Sequence, residues 1–420
     1  MPPFLLQTIL SAGRRVLPGA LLWAGALTAL AQTAAPITFH KDFDGGSLAK
    51  VEQVASNHFL CHVEGQSDER GRNRQATWYY FRIDGARGRD LTLTLTNLVG
   101  EYNDKPGAVS MSADTIPVFS HDGEHWQHFP AMEWNAATKT ATLRCRAERE
   151  SLWIAHVPPY PVKRLEALLS EIKRSPHVHA TEIGRSVEGR PLHLISVTES
   201  NRPAAGRKTV WLMARQHPWE APTSFVMEGA LRFITSGDPA ARRLREQVNF
   251  QFVPMMGVDG VVHGKVRFNS NGYDVNRHWN DDDWRSEEFR KRMQEIWSVK
   301  KTIFEHLDAG GRIDLLVNLH NTETTEFLET QAEDEAAQAL LRRFDEALAA
   351  RTSFDPSRKI TFAKKGISDT NSLYHQRRVP VVLMEQRISF SQKLSRRPTV
   401  EDRLRFGREL ITVMAESVAP

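Results

Sequence analysis

His217 and Glu220 stand three residues apart in the run Ala214-Arg215-Gln216-His217-Pro218-Trp219-Glu220. An imidazole and a carboxylate are both good ligands for a zinc-like ion, and a strand-to-helix corner can aim them at one point. The apolar run 209–213 predicts the strand and residues 221–234 the helix, which puts His217 in the connecting loop and Glu220 in the first helical turn. The spacing alone is common in a chain with 16 His. It recurs in His121-Asp122-Gly123-Glu124, where Asp-Gly between the alternating runs 115–119 and 126–129 reads as a hairpin turn. The His217 pair therefore needs partners.

Three downstream segments supply them. The first, residues 262–280, contains Arg267 and the block Asp274-Val275-Asn276-Arg277. The second is an apolar strand over 313–319 that ends on His320, and the third is another over 379–384 that delivers Glu385. Strand ends are where open α/β sheets gather their ligands, so a His and a Glu from two such ends can join the first pair in one cleft.

With these segments in this order, the chain resembles the zinc metallocarboxypeptidases of the carboxypeptidase A type, and more closely the cytosolic carboxypeptidase branch with its N-terminal β domain. The lead-in Ile183-Gly184-Arg185-Ser186-Val187-Glu188-Gly189-Arg190-Pro191-Leu192, the strand Pro254-Met255-Met256 and the following Asp259-Gly260-Val261 belong to the same pattern. The resemblance implies an α/β mixed-sheet catalytic domain preceded by a small antiparallel β sandwich. It implies one zinc ion per chain held by His217, Glu220 and His320, with Glu385 and Arg267 catalytic and Asn276 and Arg277 holding substrate. In that scheme zinc acidifies a water, Glu385 takes its proton as the water attacks a peptide carbonyl, and Arg267 stabilises the oxyanion. The substrate implied is a peptide or protein C-terminus, whose carboxylate an Arg fork can grip with two parallel hydrogen bonds.

The chain departs from the family pattern in three places. Trp219 stands where the branch usually has Gly, and Gly257-Val258-Asp259-Gly260 replaces an Asn-Pro-Asp-Gly turn. No tyrosine occurs in 361–370, and Tyr374 is displaced from the place where the family often carries one. The segment Lys364-Lys365-Gly366-Ile367-Ser368-Asp369 is expected near the pocket for the last substrate side chain, where the lysines would favour acidic residues and Asp369 basic ones; the glutamate trimming known of the resembled branch makes an acidic C-terminal residue the expectation. Two other readings stay open: an exported zinc peptidase that trims cell-wall peptides, and a non-catalytic peptide-binding protein on the same fold.

The elements that must carry this site fall into two blocks after a leader. Arg14-Arg15, the apolar stretch 16–30 and Ala29-Leu30-Ala31 read as a cleavable secretory signal over 1–31, hence an exported, periplasmic or secreted protein. At roughly 15 residues the apolar stretch falls short of the about 20 needed to span a bilayer, so no stable membrane insertion is expected once the leader is removed. Short alternating runs such as 77–83 and 91–95 predict an antiparallel β sandwich over 36–157. Pro158-Pro159-Tyr160-Pro161 is a stiff linker, and residues 162–420 alternate apolar strands with helices over 162–173, 286–306, 332–351 and 400–417, an α/β pattern.

The formal charge of +4 comes from 55 Lys and Arg against 51 Asp and Glu spread along the chain, without a concentrated basic tract, which excludes a nucleic-acid footprint. The two cysteines, Cys61 and Cys145, both fall in the first block, where a disulfide and two buried thiols are both open.

Overall fold

The structure is a computed structural model that describes residues 36–102, 104–199, 206–366 and 368–419; the leader predicted over 1–31 lies outside them. Residues Ile37–Pro420 form one compact unit.

Its first half is two five-stranded sheets face to face. One runs Thr38–His40, Tyr80–Asp84, Leu152–Ala155, Val118–Ser120, Gln127–His128, and the other Glu133–Asn135, Thr140–Arg146, Asp90–Thr96, His58–His62, Lys50–Ala55. The sequence of Asp90–Thr96 shows why: Leu91, Leu93 and Leu95 are buried while the threonines between them are half-buried, the period-2 alternation of a strand with one dry face. These leucines pack with Phe59, Cys61, Phe81, Ile83, Leu143 and Ile154 into a core of their own. Pairing is antiparallel throughout except between His58–His62 and Asp90–Thr96, which run parallel. Cys61 and Cys145 lie on strands on either side of Asp90–Thr96, opposite Leu95 and Leu91, and both are free thiols. The repeat of the metal-like spacing at His121 is turn chemistry: the Asp122 carboxylate accepts from the main-chain N–H of Glu124 and His125.

The second half is an eight-stranded mixed sheet in the order Val178–Arg185, Pro191–Val197, Val248–Val253, Lys208–Ala214, Leu315–Thr322, Val381–Arg387, Phe327–Thr330, Thr361–Phe362. Its four central strands, from Val248–Val253 to Val381–Arg387, are mutually parallel. Helices cover them, so these strands are apolar on both faces rather than alternating, as Leu315, Leu316, Val317 and Leu319 show. Helix Ala221–Ile234 packs along the C-terminal helix Val400–Val418 at a close crossing of two glycines. A Cβ at Gly229 would lie 2.0 Å from the Leu404 carbonyl, and one at Gly407 2.0 Å from the Val226 carbonyl.

Three expectations are corrected. Strands Leu315–Thr322 and Val381–Arg387 continue through His320 and Glu385 instead of ending on them, because the two pair in register as far as Thr322 and Arg387. The helix expected over 286–306 is two, Glu287–Arg292 and Gln294–Asp308, broken at Met293, whose φ of −133° and ψ of 52° are not helical. The helix expected from 332 begins at Glu335, where the Asp334 side chain accepts from the Ala337 N–H and caps it.

Two outcomes follow. Gly407→Ala, which forces a methyl against a carbonyl of the neighbouring helix, should cost about 1–3 kcal/mol in denaturant unfolding. A thiol count on denatured, unreduced protein should give two.

Candidate metal centre and active-site cleft

The helix starts at Ala221 as expected, so Glu220 occupies the position just before its first turn rather than within it and makes no capping bond with its side chain. The carboxylate is free to turn elsewhere. Arg215, in the left-handed region at φ 58°, folds the connecting loop back: its Nε donates to the Pro218 carbonyl at 2.8 Å and Nη1 to Ser224 Oγ at 3.0 Å. His217 Nδ1 thereby lies 2.7 Å from Glu220 Oε1. From the adjacent strand, His320 Nδ1 lies 3.0 Å from Glu220 Oε2. The three side chains are buried, with ligand atoms all within 4.8 Å of one another.

The outer ring nitrogens decide what the inner ones can do. His217 Nε2 is 3.1 Å from Asp274 Oδ1, and an ionised carboxylate can only accept, so the ring proton sits on Nε2 and Nδ1 presents a lone pair. His320 Nε2 is 2.9 Å from Gln216 Oε1. That oxygen also accepts from Asn318 Nδ2 at 2.9 Å, while Gln216 Nε2 donates to the Val275 carbonyl and Thr370 Oγ. Two lone pairs and a carboxylate thus converge on one point, and Glu220 Oε2 is buried there with no hydrogen bond. Two imidazoles and one carboxylate form a known donor set for catalytic zinc, so the residues present fit that ion.

In the metal-free protein, burial alone would raise the Glu220 carboxyl, but His320 and His217 outweigh it and pull it to about 2. Asp274 is likewise held well below the usual carboxylate range, with Arg267 and His217 overcoming its burial. Glu385 goes the other way: burial first, then the charge of Glu220, push it well above its ordinary value. Its Oε2 has no partner, and the Arg387 that could have paired with it turns instead to Glu326 and the Asp355 carbonyl.

All seven residues singled out from the sequence gather here. The metal trio is joined around one cleft of about 250 Å³ by Arg267, Asn276, Arg277 and Glu385. Arg267 is buried, and its Nε donates to Asp274 Oδ2 at 2.7 Å. Asn276 Oδ1 accepts from Ser368 Oγ at 2.7 Å and Thr370 Oγ at 3.0 Å, which fixes the amide so that its NH₂ is the end left to donate. Arg277 lines the cleft without an ion-pair partner among the described residues.

Lys364 and Lys365 are exposed and do not line this cleft, so they are not placed beside the last substrate side chain as expected. Tyr374 is buried elsewhere, its hydroxyl bonded to Asp334. Trp219 is buried in the cleft wall against His156, ring centroids 5.7 Å apart. His263 and His278 pair with Glu188 and Asp281 outside the trio.

Residues 165–374 match the family model described as zinc carboxypeptidase, and residues 39–157 match that of the cytosolic carboxypeptidase N-terminal domain. The chain belongs to the zinc carboxypeptidase family. Members hold one zinc and hydrolyse peptide bonds. Among relatives, an uncharacterized protein of Zymomonas mobilis is 29% identical over 74% of this chain and 76% of its own length. Mouse cytosolic carboxypeptidase 6 is 28% identical over 58% of this chain and 46% of its own. The chain spans about half the length of mouse and human cytosolic carboxypeptidases 6. A metallo-carboxypeptidase from Burkholderia cenocepacia superposes with a TM-score of 0.79 at 25% identity, covering 91% of this chain and 99% of that one.

Two supports of this zinc-carboxypeptidase site were not legible beforehand. Asp274, quoted only as the start of its block, holds both His217 and Arg267; its position two before Asn276 was the available signal. Gln66, from the β-rich half, had none. Its Oε1 accepts the main-chain N–H of Val266, Arg267 and Phe268 at 3.1, 2.7 and 2.9 Å, and its Nε2 donates to the Phe268 carbonyl at 2.9 Å. One side chain from 200 residues away in sequence thus mimics a neighbouring strand and sets the segment that presents Arg267.

Asp274→Asn should weaken metal binding about 10- to 100-fold in a competition titration, because the uncharged amide has a single acceptor oxygen and cannot serve both the His217 ring and Arg267. Gln66→Leu strands three buried N–H groups and should lower kcat by about tenfold or more with metal content retained.

Proposed function

We propose that this chain is a zinc-dependent metallocarboxypeptidase that releases the C-terminal residue of peptides or proteins, including one joined through a side chain. The observation that carries the proposal is the convergence of the metal trio with an unpaired buried carboxylate, Glu385, and cationic and amide donors around one cleft. Zinc held by His217, Glu220 and His320 would polarise the scissile carbonyl and acidify water. Arg277 and the Asn276 NH₂ hold the terminal carboxylate, which places the last peptide bond beside the trio. Glu385, across the strand pair from His320, takes the proton of the attacking water at its free Oε2 and passes it to the leaving amine. Arg267, clamped between Asp274 and Gln66, faces the developing oxyanion without having to reorganise.

We extend the proposal to an acidic C-terminal residue. Its support is the likeness to the cytosolic carboxypeptidases alone; peptides ending in Glu, Lys and Phe test it, and Glu as the poorest of the three contradicts it. Export rests on the leader-like pattern of residues 1–31, whose removal would lower the formal charge to +2. No helix among the described residues is long and apolar enough to cross a membrane. Amino-terminal sequencing of the protein recovered from fractionated cells checks export, with a start at Gln32 expected.

Glu385→Gln should keep its zinc and lose about 10²- to 10⁴-fold in kcat, because the amide cannot accept the proton. Chelation should abolish turnover of the wild type, and added zinc should restore it. Zinc retained with turnover equal to wild type in Glu385→Gln would overturn the assignment of the base.

A further inference from the structure

The cleft wall contributed by the β-rich half carries polar groups that the chemistry above leaves unused. Gln75 and Thr77 stand two residues apart on the extended run leading into Tyr80–Asp84, and both line the cleft with Tyr102, Trp219 and Glu220. They are only 7% and 3% exposed. Neither Gln75 Nε2 nor Thr77 Oγ has a hydrogen-bond partner among the described residues. A buried donor left unpaired costs about 1–3 kcal/mol, and native structures rarely tolerate two together without something to satisfy them.

The main chain here is already committed. The Gln75 N–H and carbonyl pair with Gln66 at 2.8 Å each, and Gln66 is the residue whose side chain fixes the Arg267 segment. Gln75 and Thr77 are therefore held in register with Arg267, on the side of the cleft opened by the β-rich half. A peptide whose terminal carboxylate is gripped by Asn276 and Arg277 must run its upstream residues past Arg267, where its scissile carbonyl sits. The chemistry of the wall narrows the occupant. A neutral amide donor and a hydroxyl, set apart from the Arg277 that takes the terminal carboxylate, suit an uncharged peptide group.

We propose that Gln75 and Thr77 form a subsite for the main chain upstream of the scissile bond, with Gln75 Nε2 donating to a peptide carbonyl and Thr77 Oγ bonding the adjoining amide. This rests on the carboxypeptidase reading. It makes the preferred substrate an extended peptide of at least three residues, recognised in part by the domain that precedes the catalytic one.

The test compares di-, tri- and tetrapeptides with free amino termini that share their last two residues, assayed with zinc-loaded wild type, Thr77→Val and Gln75→Leu. Wild type should gain about tenfold or more in kcat/KM between the dipeptide and the longer substrates, and each variant should lose most of that ratio, as expected for one hydrogen bond. The ratio is internal to each preparation, so a partly misfolded variant reports it as faithfully as a sound one. Calorimetric binding of the same peptides to zinc-loaded Glu385→Gln should show the same length dependence without turnover. A wild type that cleaves all lengths alike, or variants that keep the full ratio, would overturn the subsite and leave water as the partner of these groups. Zinc-loaded protein that neither binds nor cleaves any of the peptides would instead sink the carboxypeptidase reading beneath it.

Discussion

A carboxylate buried with two imidazole lone pairs aimed at it is the constraint on which the rest of this molecule depends. Glu220 is desolvated, stripped of capping duty, and left with one oxygen that receives no hydrogen bond. Without a metal the buried anion depends on positive charge drawn onto the two imidazoles, and its Oε2 still lacks a hydrogen bond. A divalent cation at the focus of the three side chains turns each liability into a bond. The outward faces of both rings are committed to Asp274 and Gln216, so the rings cannot swing away to relieve the site without breaking further buried hydrogen bonds.

The fold meets this constraint with rigid parts. Lys208–Ala214, Leu315–Thr322 and Val381–Arg387 are adjacent parallel strands, and cross-strand register sets His320 directly beside Glu385. The helix that begins at Ala221 is locked against the C-terminal helix through the reciprocal close approach at Gly229 and Gly407. The segment bearing Arg267 is an irregular loop, and loops place side chains less accurately than sheets do. Here the β-rich half compensates: Gln66 gives the loop a surrogate strand edge, and the Glu69 N–H donates to the Gly272 carbonyl at 3.1 Å. The two halves therefore share the construction of one cleft, which gives a physical reason for their forming a single compact unit.

Much of the site was legible in the sequence because its residues are announced locally. His217 and Glu220 flank a strand-to-helix corner, His320 and Glu385 ride on apolar strands, and Asn276 and Arg277 sit in a distinctive block. The β-sandwich was legible from period-2 alternation such as that of Asp90–Thr96. What escaped depended on distant partners. Gln66 is an ordinary polar residue until the chain brings it against residues 266–268, and Gln216 gains its role only where Asn318 and His320 meet it. The break at Met293 escaped because the apolar periodicity on either side continues the same helical pattern. Strand ends at His320 and Glu385 were placed too early because apolar character stops there, whereas the main-chain pairing that defines the strand continues for two more residues. Trp219, which departs from the family pattern, packs the cleft wall against His156 of the other half.

The central claim is that one metal ion sits at the focus of His217, Glu220 and His320. The most direct measurement is anomalous diffraction at the zinc edge from crystals of zinc-loaded protein. The account predicts a single strong peak per chain, within bonding distance of both Nδ1 atoms and the Glu220 carboxylate. Absence of a peak there, or a peak held by other side chains, would contradict it.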